Sequence, residues 1–295
     1  MNSSIADFEV FERREYLFRA GDREIELGRR TCLMGIVNIT PDSFSDGGRF
    51  LETSAAIDRC LELESQGVDI VDLGAESSRP GAEPVSMETE LKRLLPVLEA
   101  IRPQLRAMIS VDTCKSGVAR EVLEAGADII NDISALRFDP EMGEVVSEYR
   151  AGLILMHMRG TPATMQQLPP SPNILAEIRQ DLQIAVDKAH NAGIARDRLV
   201  LDPGIGFGKT VEDNLKIINR LETFADFQLP IMVGTSRKSF IGKILDQPPD
   251  ERLIGTVASS VAAVMRGAHI IRVHDVVELK QAVAIVDSIL AEKIL

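Results

Sequence analysis

The 295-residue chain has no tryptophan, and aromatic residues make up only 4% of it. Any core must therefore come from Ile, Leu, Val, Ala and Met. Cysteine is scarce too: Cys32, Cys60 and Cys114 are odd in number, far apart and without a CxxC pair. That spacing argues against a disulfide framework and a structural zinc site, and fits a reducing cytosol. No apolar run approaches the roughly 18 residues of a membrane span. The segment Met1–Asp7 lacks the basic-then-apolar order of a secretory signal, so a cytoplasmic protein with no membrane partner is expected. Positive charge is in deficit, with 33 Lys and Arg against 45 Asp and Glu and a net charge of −12. This argues against nucleic acid as a general partner; cations for an anionic ligand must be local.

What is present is a large apolar fraction, 45%, arranged with regularity. Short apolar runs fall at Cys32–Ile39, Asp69–Leu73, Met108–Val111, Ile129–Ile133, Gly152–Met158, Leu199–Leu201, Ile231–Val233 and Ile270–Val273. Helical periodicity fills the gaps, as in Ser54–Gln66, Met87–Ile101, Ile174–Asn191 and Leu253–Met265. Glycines after the periodic segments, among them Gly67 and Gly126, read as helix C-terminal stops. Alternating strands and helices with near-continuous apolar strands imply a parallel sheet covered by helices. Eight repeats point to an α/β fold, a (β/α)8 TIM barrel spanning residues 31–295, with an open doubly wound sheet as the alternative. Residues 1–30 read as an N-terminal β-hairpin extension packed on the barrel. Phe8–Glu12 and Tyr16–Arg19 form its expected arms, continued by Glu24–Leu27, and it reads as a lid over one barrel end.

The stretch Leu199–Thr210 imitates a phosphate loop and fails the count. A Walker A glycine is required at the position of Pro203, and a dinucleotide fingerprint requires glycine where Lys209 stands. A buried strand instead delivers Asp202 to its C-terminal end beside a glycine-rich turn, and Lys209 reads as an ordinary surface lysine. Such barrels carry their active sites at the C-terminal strand ends. Here those ends carry Asn38, Asp72, Asp112, Asn131-Asp132, His157, Asp202, Thr235–Lys238, and Arg272 with His274. A polar residue at one strand end often only caps a helix. Many converging on one mouth imply a small polar ligand. Asp112, Asn131 and Asp202 suit a planar heterocycle bearing N–H donors and ring acceptors. Lys238, Arg272 and His274 form a second, cationic set suited to phosphate oxygens. The loops Thr40–Gly48 and Gly74–Gly81 exceed an ordinary connection of about five residues and read as segments that close over a ligand.

Together these motifs resemble the dihydropteroate synthase family. The resemblance rests on Met34-Gly-Ile-Val-Asn-Ile-Thr-Pro-Asp-Ser-Phe-Ser-Asp-Gly-Gly48 and Asp72-Leu-Gly-Ala-Glu-Ser-Ser-Arg-Pro-Gly-Ala82. It continues through Ser110–Thr113, Ile130–Asp132, Met156–Met158, Asp202–Gly208, Ser236–Ser239 and Arg272–His274. It implies a barrel, usually a homodimer, that joins 6-hydroxymethyl-7,8-dihydropterin pyrophosphate to p-aminobenzoate and releases pyrophosphate. By resemblance, Asp112, Asn131, Met156, Asp202 and Lys238 hold the pterin. Asn38, Ser78, Arg272 and His274 hold pyrophosphate, with Asn38 acting through Mg2+. Phe44, Ser78, Arg79, Pro80, Phe207, Lys238 and Ser239 surround p-aminobenzoate. Ser78 stands where the family more commonly has threonine, which keeps the hydroxyl. Such chemistry needs no strong base and no nucleophilic side chain, so His157 reads as structural and Cys114 as packing. A methyltetrahydrofolate–corrinoid methyltransferase and a pterin-binding paralogue without turnover are the rival readings.

Overall fold

The computed structural model describes residues 13–39, 48–77 and 81–294, with side chains of the second segment described from residue 53. A two-stranded antiparallel hairpin, β1 (Tyr16–Ala20) and β2 (Arg23–Leu27), comes first. Eight parallel strands follow: β3 (Cys32–Asn38), β4 (Ile70–Gly74), β5 (Met108–Asp112), β6 (Ile129–Asp132), β7 (Gly152–Met156), β8 (Leu199–Asp202), β9 (Met232–Val233) and β10 (Ile270–Val273). Their order is β8-β7-β6-β5-β4-β3-β10-β9. The ring closes between β8 and β9, where Leu201 bridges Ile231 and its N–H donates to Pro230 at 2.9 Å. That contact excludes the open-sheet alternative.

Each strand alternates inward and outward side chains. Ile70 faces the axis, Val71 the helices, Asp72 the axis and Leu73 the helices; β10 repeats the pattern with Ile270, Ile271, Arg272 and Val273. The lower interior layer is apolar and includes Met34, Ile70, Met108, Ile154, Val200, Met232 and Ile270. One layer higher, the same alternation turns Asp72, Ser110, Asn131, Asp202 and Arg272 inward. A single strand period therefore separates the packed floor from the polar mouth.

Helices α1 (Gly48–Gln66), α2 (Met87–Ile101), α3 (Ser116–Glu124), α4 (Met142–Glu148), α5 (Ile174–Asn191), α6 (Val211–Asn219), α7 (Ser239–Leu245), α8 (Leu253–Met265) and α9 (Val276–Leu290) complete the described helices. The first starts six residues before its expected position at Ser54. Thr210 caps α6 in a reciprocal capping box with Asp213, accepting from the Asp213 N–H at 3.1 Å.

The hairpin differs from expectation in pairing. Its arms are Tyr16–Ala20 and Arg23–Leu27 around Gly21, whereas Phe8–Glu12 lies outside the described residues. It closes the N-terminal end of the barrel, opposite the polar mouth. Phe18, Ala20 and Leu27 enter the interior layer. A Cβ on Gly152 would stand 2.6 Å from the Phe18 ring, so the plug needs glycine there.

Candidate active site

Arg272 is the hub of the polar layer. Its Nε donates to Asp72 Oδ2 at 2.7 Å, and Nη2 lies 2.6 Å from the same oxygen and 3.3 Å from Asp112 Oδ2. Asn131 Nδ2 donates to Asp72 Oδ2 at 3.3 Å. Burial, together with the neighbouring Asp72 and Glu90 charges, pushes Asp112 up to about 7, with Arg272 opposing. The second oxygen of Asp72, the Asn131 carbonyl oxygen and the Ser110 hydroxyl are buried without a hydrogen-bond partner among the described residues. Orphaned buried groups at this density mark the place of a polar guest or water.

Across the mouth, Asp202 Oδ1 accepts from the Gly204 N–H at 2.7 Å, while burial raises its pKa against the pull of Lys238. Lys238 donates to the Ile205 carbonyl, and its ammonium stands 4.6 Å from the Phe207 ring centroid. Burial pushes that ammonium down to about 8. Met156 belongs to a small apolar cluster with Ile133, Met158 and Met165, against which Cys114 and Phe207 pack. The site thus has carboxylates and an amide around one rim, an apolar ledge, and two cations, Arg272 and Lys238, set among them.

The structure therefore departs from the division into a carboxylate set and a separate cationic set. Alternation places Arg272 inside the carboxylate group, because it is two residues on from inward-facing Ile270. His274 is not cationic. Burial and the Arg272 charge hold it down to about 4, and its Nδ1 lies 2.9 Å from Ser236 Oγ. Ser236 Oγ also accepts from the His274 backbone N–H at 3.2 Å, so the hydroxyl ties both the ring and the backbone of His274. Asn38 is exposed at the end of β3, and Ser239 opens α7. Phe44, Ser78, Arg79 and Pro80 lie outside the described residues.

His157 is buried with Nε2 3.3 Å from Asp181 on α5, and burial takes it down to about 4. It faces the helical layer instead of the site. Lys209 is not a surface lysine: its ammonium donates to the carbonyls of His157, Gly204 and Phe207 at 3.2, 2.7 and 3.1 Å. Two partnerships had no counterpart in the sequence reading. One is the Asp72–Arg272 pair, which a strict period of two from Ile70 and Ile270 could have signalled. The other joins Lys115 to Glu76 and to buried Glu90, with Glu90 at 2.6 Å.

This geometry meets its counterpart among known proteins. The model of the family described as pterin binding enzyme matches residues 34–274. The chain is 46% identical to the dihydropteroate synthase of Synechocystis sp. over 270 residues, 91% of this chain and 93% of that one. The structure of Xanthomonas albilineans dihydropteroate synthase with 4-aminobenzoic acid superposes with a TM-score of 0.87 at 38% identity, covering 94% of this chain and 99% of that one. That of the Coxiella burnetii enzyme in complex with pteroic acid gives 0.84 at 36%, covering 94% and 100%. The chain belongs to the pterin-binding enzyme family and, within it, to the dihydropteroate synthases.

Proposed function

We propose that the chain condenses 6-hydroxymethyl-7,8-dihydropterin pyrophosphate with p-aminobenzoate, giving 7,8-dihydropteroate and pyrophosphate for folate biosynthesis. The observation that carries the reading is the orphaned polar rim of Asp72, Ser110 and Asn131, joined to Asp112 and Asp202 above an apolar floor. A flat heterocycle with N–H groups on one edge satisfies carboxylate and amide oxygens that have no partner among the described residues. Met156 and Phe207 supply apolar contact for its face.

Cleavage of the methylene C–O bond leaves an electron-poor pterin and a highly charged leaving group, an SN1-like course. Asp112 and Asp202 stabilise the first, and Arg272 and His274 the second. The aryl amine attacks as a neutral nucleophile, so no side chain need remove a proton beforehand. Phe207 and Lys238 wall the p-aminobenzoate side, with Ser239 and the residues Phe44, Ser78, Arg79 and Pro80 completing it in this reading.

Magnesium fits in a limited form. Among the described residues no group of three or more His, Cys, Asp or Glu side chains could hold a metal. Asn38, exposed at the mouth, offers one hard oxygen, and Mg2+ is commonly held by few protein ligands plus substrate phosphates. When bound, the ion would neutralise charge on the pyrophosphate.

A homodimer belongs to the same reading. Ile244, Leu245 and Met265, which line one groove on the α7–α8 face, are 53%, 45% and 47% exposed, apolar surface that favours a second copy. Sedimentation at a single mass of one chain would overturn it. No described helix is long and apolar enough to cross a membrane, and the three thiols are free, which suits a cytoplasmic setting.

The reaction is tested by incubating purified protein with the pterin pyrophosphate, p-aminobenzoate and Mg2+ while following pyrophosphate release. Release dependent on both organic substrates is expected; none above the enzyme-free control from a folded sample overturns the synthase reading. Methyl transfer from methyltetrahydrofolate to an added corrinoid in a parallel incubation would redirect it.

A further inference from the structure

The glycine-rich loop after β8 runs unusually close to the end of β7. Gly204 has φ +69°, and a Cβ there would lie 1.8 Å from the His157 carbonyl oxygen. Proximity of this kind creates an electrostatic problem. The carbonyl oxygens of His157, Gly204 and Phe207 converge on one point, and three aligned carbonyl dipoles repel each other unless a cation sits between them. Lys209 supplies that cation from within the loop, donating to all three oxygens. An ammonium carries three N–H donors and no acceptor, so the match is complete. No carboxylate is among these bonds, and a solvated lysine would have no reason to be drawn inward.

The other ties of the loop show which part depends on this clamp. Asp202 is held by its strand, with its carbonyl accepting from the His157 N–H at 2.9 Å, and its Oδ1 accepts from the Gly204 N–H at 2.7 Å; neither bond is made by the Lys209 ammonium. Gly206 N–H donates to Asn214 Oδ1 at 2.7 Å. Phe207 has a weaker backbone tie, its N–H donating to Gly204 at 3.2 Å. Its carbonyl is held by Lys209, and its ring faces the Lys238 ammonium.

We propose that Lys209 is a positioning residue for the second substrate, fixing the Phe207 wall through the backbone while Asp202 remains set by its strand. The proposal rests on the synthase reading for its substrate, and on geometry alone for the clamp. Lys209 touches no reacting atom. Its effect is selective: the p-aminobenzoate side loosens and the pterin edge does not.

Lys209→Met keeps the stem and removes every donor. The expected result is a KM for p-aminobenzoate raised roughly tenfold, as for the loss of charged hydrogen bonds, with the KM for the pterin pyrophosphate within about twofold of wild type. A folded variant with both constants unchanged, or with both raised by the same factor, overturns the proposal. A second readout is independent of turnover. The chain has no tryptophan, so Phe207→Trp creates a single fluorophore at the wall. Acrylamide quenching of that residue should rise when Lys209→Met is added; equal quenching in the two backgrounds overturns the clamp. Where Lys209→Met does not fold, Lys209→Gln, which retains the stem with fewer donors, carries the same two measurements and the same criteria. Wild-type protein run alongside separates the two ideas: no wild-type turnover defeats the synthase reading, while the quenching comparison still decides the clamp.

Discussion

Arg272 Nε donates to Asp72 Oδ2 at 2.7 Å, reaching from β10 past β3 to β4. Asp72 is fully buried, so the guanidinium is its only charged partner among the described residues. Removing one member of such a pair leaves an uncompensated charge in a low-dielectric site. Arg272→Ala should therefore cost about 3–5 kcal/mol of stability as well as turnover. Urea unfolding beside the pyrophosphate-release assay checks both. Loss of turnover at unchanged stability would mean that the pair is not the structural hub described.

Asp202 should behave differently. Its position is set by β8 and the Gly204 N–H, and no ion pair closer than 4 Å involves it among those described. Asp202→Asn keeps the shape and removes the charge. Turnover should fall by about 100-fold or more, the scale for losing a preorganised electrostatic group, while the urea midpoint stays near wild type. Retained turnover would show that Asp202 does not read the pterin edge.

At the opposite end, Phe18 is 1% exposed in the interior layer and far from the polar mouth. Phe18→Ala should destabilise the chain by about 3–5 kcal/mol, the usual cost of emptying an aromatic core position. Michaelis constants measured below the unfolding transition should be unchanged. A shift in either constant would mean that the plug communicates with the mouth.

His269 gives a pH prediction. Its Nδ1 accepts from the Ile231 N–H at 3.1 Å, and its Nε2 lies 3.1 Å from the Arg14 carbonyl, an arrangement only the neutral ring satisfies. Burial and the Arg13 charge take its pKa down to about 4. Between that value and its ordinary 6.5 the unfolded chain binds the extra proton, so stability rises with pH across this window and is lost as pH falls through it. His157 and His274 act in the same direction, while raised Asp112 opposes them between its ordinary value and about 7. His269→Gln should therefore flatten the slope of urea stability between about pH 6.5 and 4 by up to about 3 kcal/mol. An unaltered slope would show that His269 is not held neutral.

Much of the fold was legible because strand and helix periodicities are local. The expected runs at Met108–Val111, Ile129–Ile133 and Ile270–Val273 each lie within one residue of an observed strand. Polar residues at the strand ends were legible for the same reason. Lys209 was misread because its acceptors come partly from the end of β7, some fifty positions earlier, where the His157 carbonyl lies just past the strand. His274 was read as a cation because sequence gives a side chain's type and not its burial.

By itself the sequence determined the repeated strand–helix units, the absence of a tryptophan core and the set of polar groups available at the strand ends. Those follow from residue type and spacing, which need no partner. Only the tertiary structure decided which groups share a layer. Pairing of β10 with β3, beside β4, sets Arg272 among carboxylates from other strands, and the contact between Leu201 and Ile231 closes the ring around them. The inner layer also decides which barrel end the hairpin covers, the one opposite the polar mouth. Charge, pairing and protonation depend on distance and burial through space, and those exist only once the ring is closed.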